Sequence, residues 1–301
     1  MTCYHPITAF RIHGESKLKF YRPHRGDVRE QLQVPCGQCV GCRLERSRQW
    51  AIRCIHEAQM HKHNCFITLT FSPEHLPSPP TLDVRDFQLF MKRLRKKYGS
   101  LIRFFHCGEY GEKFGRPHYH ACLFNFDFPD KVLWKTVNGC NLYTSKSLSD
   151  LWPFGFSTIG DVTFESAAYV ARYVMKKVTG IKAQMHYERV DPLTGEIYQA
   201  QPEYVTMSRR PGIASSWFEK YSSDVYPHDH VIVRGKQCKP PRFYDNRFKA
   251  SFPLDFEEIQ FQRYLDSREK LCDSTPERLL VREEVQIARL KKLPRTLDTE
   301  N

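Results

Sequence analysis

Three short runs of apolar, β-branched and aromatic residues, at 65–71 (CFITLTF), 101–107 (LIRFFHC) and 119–126 (YHACLFNF), constrain this chain more than any other feature. Runs of this length, bounded by turn residues, read as buried strands rather than helices. Ser72-Pro73 closes the first, and the Pro-rich stretch 73–80 is a loop. The second and third are joined by the glycine-bearing segment GEYGEKFGRP, which predicts a hairpin. Between the first and second, Asp83 is a candidate N-cap for a helix carrying Phe87, Phe90, Met91 and Leu94 at helical spacing. A further strand is expected over 156–162, and helices over 41–61 and over 165–178, the latter ended by Gly180. The order strand, helix, hairpin, strand, helix predicts an α+β fold, a mostly antiparallel sheet with flanking helices and with basic N- and C-terminal extensions.

Four segments follow from this reading. Residues 1–62 form a Cys-rich N-terminal arm, irregular apart from its helix. Residues 63–180 form the core, and 181–250, mixed and punctuated by Pro and Gly, a basic extension. Residues 251–301 form a helical tail, with helices at 257–269 and 276–292 and a capping box at Ser274 and Glu277.

Charge narrows the partners. Forty-six Lys and Arg face 34 Asp and Glu, a formal net charge of +12, which favours nucleic acid or an anionic surface. The N-terminus lacks the apolar core of a secretory signal, and no stretch of about 18 apolar residues predicts a membrane span. Eleven cysteines, an odd number, without a secretion signal indicate a reducing compartment. No GxxxxGK[ST] loop occurs, so ATP-driven unwinding is not expected of this chain.

H-x-H occurs three times, at His61 and His63, His118 and His120, and His228 and His230. In a strand, residues i and i+2 face one way, so two imidazoles at this spacing can converge on one metal ion. Only His118 and His120 open an apolar run; the other pairs lie at a polar helix end and in a Pro/Asp loop. Across the predicted hairpin, Glu109 could complete a set of two histidines and one carboxylate, suited to Mg2+ or Mn2+. Ordinary strand-end histidines and an exposed glutamate would give the same letters.

Tyr169 and Tyr173 stand four residues apart and so share a helix face. Such a face is usually core, yet Lys176 follows three residues after Tyr173, and Arg172 and Lys177 make the surroundings basic. A phenol of pKa about 10 needs cations or a metal-held phosphate nearby to act as a nucleophile.

These motifs together resemble the HUH endonucleases, in particular the rolling-circle replication initiators of microviruses of the gokushovirus kind. The resemblance runs through CFITLTF (65–71), GEYGEKFGRPHYHACLF (108–124) and YVARYVMKK (169–177), flanked by PCGQCVGCRLERSRQWA (35–51) and MSRRPGI (207–213). It implies a Rep-type, ferredoxin-like core in which Glu109, His118 and His120 hold Mg2+ or Mn2+. Tyr173, helped by Lys176, then nicks single-stranded origin DNA, and Tyr169 serves the closing strand transfer. It further implies a 5′-phosphotyrosine link, a 3′-OH primer, a host helicase and polymerase as partners, and the bacterial host cytoplasm as location. Tyr119, between the histidines, departs from the usual aliphatic residue and is expected to face away from the metal. Arg172, Lys177, Arg209, Arg210, Lys236, Lys239 and Arg242 are the candidate DNA-backbone contacts.

Cys36, Cys39 and Cys42 form C-x-x-C-x-x-C, and Cys3 could add a fourth thiolate. Structural zinc, an iron–sulfur cluster and simply reduced thiols all fit this spacing. Two further functions share parts of the pattern: a transposase or relaxase of the HUH superfamily, and a non-catalytic zinc-containing nucleic-acid-binding protein.

Overall fold

The computed structural model describes residues 3–15, 17–24, 27–111, 115–137, 139–176, 178, 182–191 and 194–292, the side chains of 173–176 and 182 lying outside the description. The chain opens with β1 (Ile7–Ile12), β2 (Val28–Val34) and α1 (Val40–Gln59), then β3 (Asn64–Thr70), α2 (Val84–Tyr98), β4 (Arg103–Tyr110) and β5 (Pro117–Phe124). There follow β6 (Val132–Val137), β7 (Cys140–Thr144), α3 (Lys146–Leu151), β8 (Ser157–Gly160), α4 (Phe164–Lys176) and α5 (Lys182–Tyr187). The remainder comprises β9 (Glu188–Val190), β10 (Ile197–Gln199), β11 (Tyr204–Met207), α6 (Ser215–Val225), β12 (Val231–Val233) and β13 (Lys236–Cys238). Helices α7 (Arg242–Ser251), α8 (Pro253–Glu269) and α9 (Pro276–Lys291) close the described chain.

Two compact units result, one built from residues 1–46 and 249–294, the other centred on 47–248. The larger holds a seven-stranded sheet of order β11-β4-β5-β3-β8-β7-β6. Its pairings are antiparallel, so the expected α+β class with flanking helices is the one observed.

Strand alternation gives this sheet two different faces. One carries Ile67, Leu69, Phe71, Tyr119, Ala121 and Leu123, packed with Phe87, Phe90, Met91 and Leu94 of α2 and with Trp152. Each such large side chain, fully buried, contributes about 1.5–3 kcal/mol. Asp83 caps α2, accepting from the Arg85 amide, as its position before the periodic run predicts. The other face carries Thr68, Phe105, Cys107, Glu109, His118 and His120, with Trp50 of α1 stacked on Phe105 at 5.0 Å and α4 lying against β4, β5 and β11.

Several elements were not expected. The N-terminal arm contains the β1–β2 ribbon, whose Val28–Val34 strand (VREQLQV) is too polar to read as a buried run. Strands β6 and β7 extend the sheet at one edge, and β11, from the stretch read as mixed, extends it at the other. The α9 cap is Thr275 rather than Ser274: Pro276 occupies the first turn, and the Thr275 side chain accepts from the Arg278 amide. Among the described residues no helix is long and apolar enough to cross a membrane.

Candidate active site and candidate metal centre

Glu109 on β4 pairs directly with His118 on β5, and Cys107 pairs with His120. All four therefore point to the face covered by α1 and α4. There the buried Glu109 carboxylate meets two donors through one oxygen: His120 Nε2 at 2.8 Å and the Tyr169 hydroxyl at 3.3 Å from Oε1. The Thr68 hydroxyl lies 3.0 Å from His120 Nδ1. A hydroxyl can donate or accept, so Thr68 supports the imidazole whether Nε2 carries a proton to Glu109 or a lone pair to a metal. His118 Nδ1 donates to the Arg116 carbonyl at 2.8 Å, which makes Nε2 the lone-pair nitrogen, the form a metal binds.

Aromatic rings fix the site laterally. Phe66 stacks on His120 with centroids 5.8 Å apart, and Tyr169 meets His120 edge-on at 5.1 Å. The Arg172 guanidinium sits 5.7 Å from the Tyr169 ring centroid, close enough for cation–π attraction. On the opposite face His106 stacks on Phe87 at 3.4 Å, and burial, reinforced by His120, holds its pKa well below the ordinary value.

Two imidazoles and a carboxylate on one sheet face, each ring oriented by an oxygen, form a donor set that suits Mg2+ or Mn2+ with phosphate oxygens in the remaining positions. They are arranged as a contacting pair, Glu109 and His120, with His118 flanking. Among the described residues, the group of three or more ligands whose donor atoms already lie within 4.8 Å of one another is the cysteine set.

The other sequence candidates fall out unevenly. Tyr169 is brought to Glu109; Tyr173 and Lys176 lie on α4 one and two turns on, their side chains outside the description, and Lys177 lies outside the described residues. Arg209 and Arg210 are exposed and line an open cavity of about 640 Å³ with Arg95, Arg103 and Ser208. Lys236 and Lys239 are exposed in and just after the β12–β13 hairpin, and Arg242 at the start of α7. Tyr119 faces α2, its hydroxyl donating to Asp86 at 2.8 Å, away from the Glu109 face as expected. Thr68 was missed, although it is a polar alternate between Ile67 and Leu69 in a run read as wholly apolar.

The smaller unit holds the second cluster. Cys3 Sγ lies 3.6 Å from Cys36 Sγ and 3.9 Å from Cys39 Sγ, and Cys36 Sγ lies 4.0 Å from Cys42 Sγ. Sulfurs 2.3 Å from a tetrahedral zinc stand about 3.8 Å apart, so the four thiols fit that ion closely. Backbone amides of Tyr4, Cys36, Gln38 and Cys39 point at the sulfurs at 3.3–3.4 Å, as partners of thiolates do. Burial alone would raise the Cys39 thiol, but hydrogen bonds from Tyr4 and the neighbouring cysteines bring it to about 6. This cluster could bind a metal such as zinc.

Residues 64–178, from β3 to just past the end of α4, match the family model of the replication-associated protein ORF2 type. The span includes Glu109, His118, His120 and Tyr169. The chain is 34% identical to replication-associated protein ORF2 of Spiroplasma virus 4, across 91% of this chain and 88% of that one. It is 36% identical to replication-associated protein VP4 of Bdellovibrio phage phiMH2K, across 89% and 84%. It is 35% identical to replication-associated protein ORF4 of Chlamydia phage 1, across 83% and 60%. No solved structure matches. Identity at this level over most of both chains shows that this chain belongs to the replication-associated proteins of microviruses, a family consistent with rolling-circle initiation.

Proposed function

We propose that this chain initiates rolling-circle replication as an HUH-type DNA nickase and strand transferase. The observation that carries the reading is the shared contact at Glu109, where one carboxylate oxygen receives both the His120 imidazole and the Tyr169 hydroxyl. A carboxylate that serves a histidine of an H-x-H pair and a helix tyrosine at once is an arrangement that tyrosine transesterification requires.

A divalent cation held by Glu109, His118 and His120 would polarise a phosphodiester oxygen of the bound strand. The protein groups do the rest. Glu109 aims the Tyr169 hydroxyl and gives its proton a path off the phenol as the tyrosine oxygen bonds to phosphorus. The bond from phosphorus to the 3′-oxygen breaks, leaving a 5′-phosphotyrosine and a 3′-OH primer. Tyr173, one turn along α4, is placed by sequence to share the two transfers that cut and then rejoin the strand, with Lys176 and Arg172 balancing phenolate charge. The ester keeps the energy of the cut bond, so rejoining needs no cofactor. Partners in this reading are single-stranded origin DNA, a host polymerase and a host helicase, in the cytoplasm of the infected bacterium. Zinc at Cys3, Cys36, Cys39 and Cys42 is structural. Residues 63–180 carry the chemistry and 181–250, with Arg209, Arg210, Lys236, Lys239 and Arg242, contact the DNA backbone.

The test is incubation of the full chain with Mn2+ and single strands tiled from a microvirus genome, followed by a denaturing gel and peptide mass mapping. A covalent adduct on Tyr169 or Tyr173, absent from the Tyr169→Phe, Tyr173→Phe double variant, is expected. An adduct that survives in the double variant, or none at all, overturns the nickase reading.

A further inference from the structure

The Glu109–His118 pair belongs to a row of residues that crosses the sheet. Glu109 pairs with His118, His118 pairs with Thr70, and the Thr70 amide donates to the Phe156 carbonyl at 3.0 Å while its hydroxyl donates to the same oxygen at 2.8 Å. With strands about 4.8 Å apart, Phe156 stands roughly 10 Å from His118 along this row. Phe156 is the next-but-one residue before Thr158, which pairs with Thr68, so strand alternation turns it to the Glu109 face.

What Phe156 meets there is unusual for an edge of a folded sheet. Trp134 packs against it with centroids 4.9 Å apart, yet the two rings are 45% and 49% exposed. Register supports the same orientation for Trp134: its neighbour Leu133 shares a row with Tyr143 and Ile159, which face the core, so Trp134 points the other way. Lys135 Nζ sits 4.2 Å from the Trp134 ring centroid, adding a cation to the rim of the aromatic pair. Gly155 makes the placement of Phe156 possible. A Cβ there would stand 2.4 Å from both the Ser72 amide nitrogen and the Thr70 carbonyl oxygen, so any larger residue would push the 154–156 segment off the end of β3.

We infer that Trp134 and Phe156, with Lys135, form a stacking platform for nucleobases of the single strand whose phosphodiester lies at Glu109, His118 and His120. The inference rests on the nickase reading for the position of that phosphodiester. Ten ångströms corresponds to about three stacked nucleotides and to fewer in an extended strand. Exposed aromatic rings beside a cation are the surface that binds unpaired bases regardless of their order, because every base has a π-face. A duplex hides those faces in its own stack, so the platform selects single-stranded DNA. It also holds the strand still beside the site where it is to be cut.

The test is fluorescence anisotropy of the full chain, in EDTA, with a labelled mixed-sequence single strand of about 20 nucleotides and with the matching duplex. Trp134→Ala and Phe156→Ala are each expected to weaken single-strand binding roughly 5- to 150-fold, while leaving duplex binding unchanged. Trp134→Phe, which keeps a ring, should stay within about threefold of the parent. Unchanged single-strand binding in both alanine variants, or equal loss on single strand and duplex, overturns the platform. Because the assay needs neither metal nor cleavage, its outcome is separate from the adduct assay: failure to nick would leave this binding result standing, and failure to stack would leave the nickase intact.

Discussion

The two ligand clusters of this protein are built on opposite principles. The four cysteines are soft donors, mutually close, held by backbone amides, and drawn mostly from seven consecutive residues, 36–42, joined by Cys3. Glu109, His118 and His120 are harder donors gathered from two strands, supported by Thr68 on a third and Tyr169 on a helix. The first set closes on itself, as structural sites do; the second leaves room beside a nucleophile. A metal in the first would hold a fold together, and a metal in the second would act on something that comes and goes.

The largest effect expected from this contrast is at Glu109. Glu109→Ala should lower the covalent adduct yield by at least about a thousandfold, since it removes a metal ligand and the acceptor that aims Tyr169. The same change should leave zinc content at one per chain, measured by elemental analysis. An adduct within tenfold of the parent would show that the carboxylate is only structural.

Removing metal from the cysteines should do the reverse. A zinc chelator, or Cys39→Ala, is expected to raise hydrogen exchange of amides in β1, β2 and residues 36–42 by about tenfold or more. Exchange in β4 and β5 should stay within a factor of about two. Equal exposure of both regions would erase the distinction between them, and no zinc in freshly purified protein would remove the structural site.

Acid supplies the smallest lever and acts on the sheet unit alone. His56 is buried between Trp217 and Tyr244, with Nδ1 2.8 Å from the Tyr244 hydroxyl, and burial lowers its pKa to about 4. The unfolded chain, titrating near 6.5, binds this proton first, so stability is full above about pH 6.5 and falls as pH drops toward 4. Between pH 7 and pH 5 the loss from this residue is about 2 kcal/mol, readable in urea melts, and His56→Phe should remove that part of the pH dependence. His106, also buried and held neutral, adds to the same trend.

The core of the larger unit was legible because buried strands and an amphipathic helix write their pattern densely. CFITLTF, LIRFFHC and YHACLFNF lie in or across β3, β4 and β5, and Phe87, Phe90, Met91 and Leu94 are buried as their spacing predicts. Edge strands write more faintly. β11 is four half-buried residues, and β6 exposes Val132, Leu133 and Trp134. The Asn138-Gly139 dipeptide between β6 and β7 is a hairpin signal, with Gly139 at φ 78°, but it carries no apolar periodicity. At the site, H-x-H spacing points to one face for His118 and His120. That Thr68 backs one ring and the Arg116 carbonyl the other depends on register, which a one-residue slip would reverse.

The pairing of β11 with β4 has a consequence for when the protein becomes competent. Tyr204 lies over Gly108, beside Glu109, and β11 closes what would otherwise be the open edge of the strand that carries the carboxylate. During translation at roughly 5–20 residues per second, β11 leaves the ribosome roughly 5 to 20 seconds after β4. Until then the nascent chain exposes a bare strand edge at its future centre. A ribosome that stalls before residue 204 therefore releases a sticky fragment with an unfinished site rather than an unregulated nuclease.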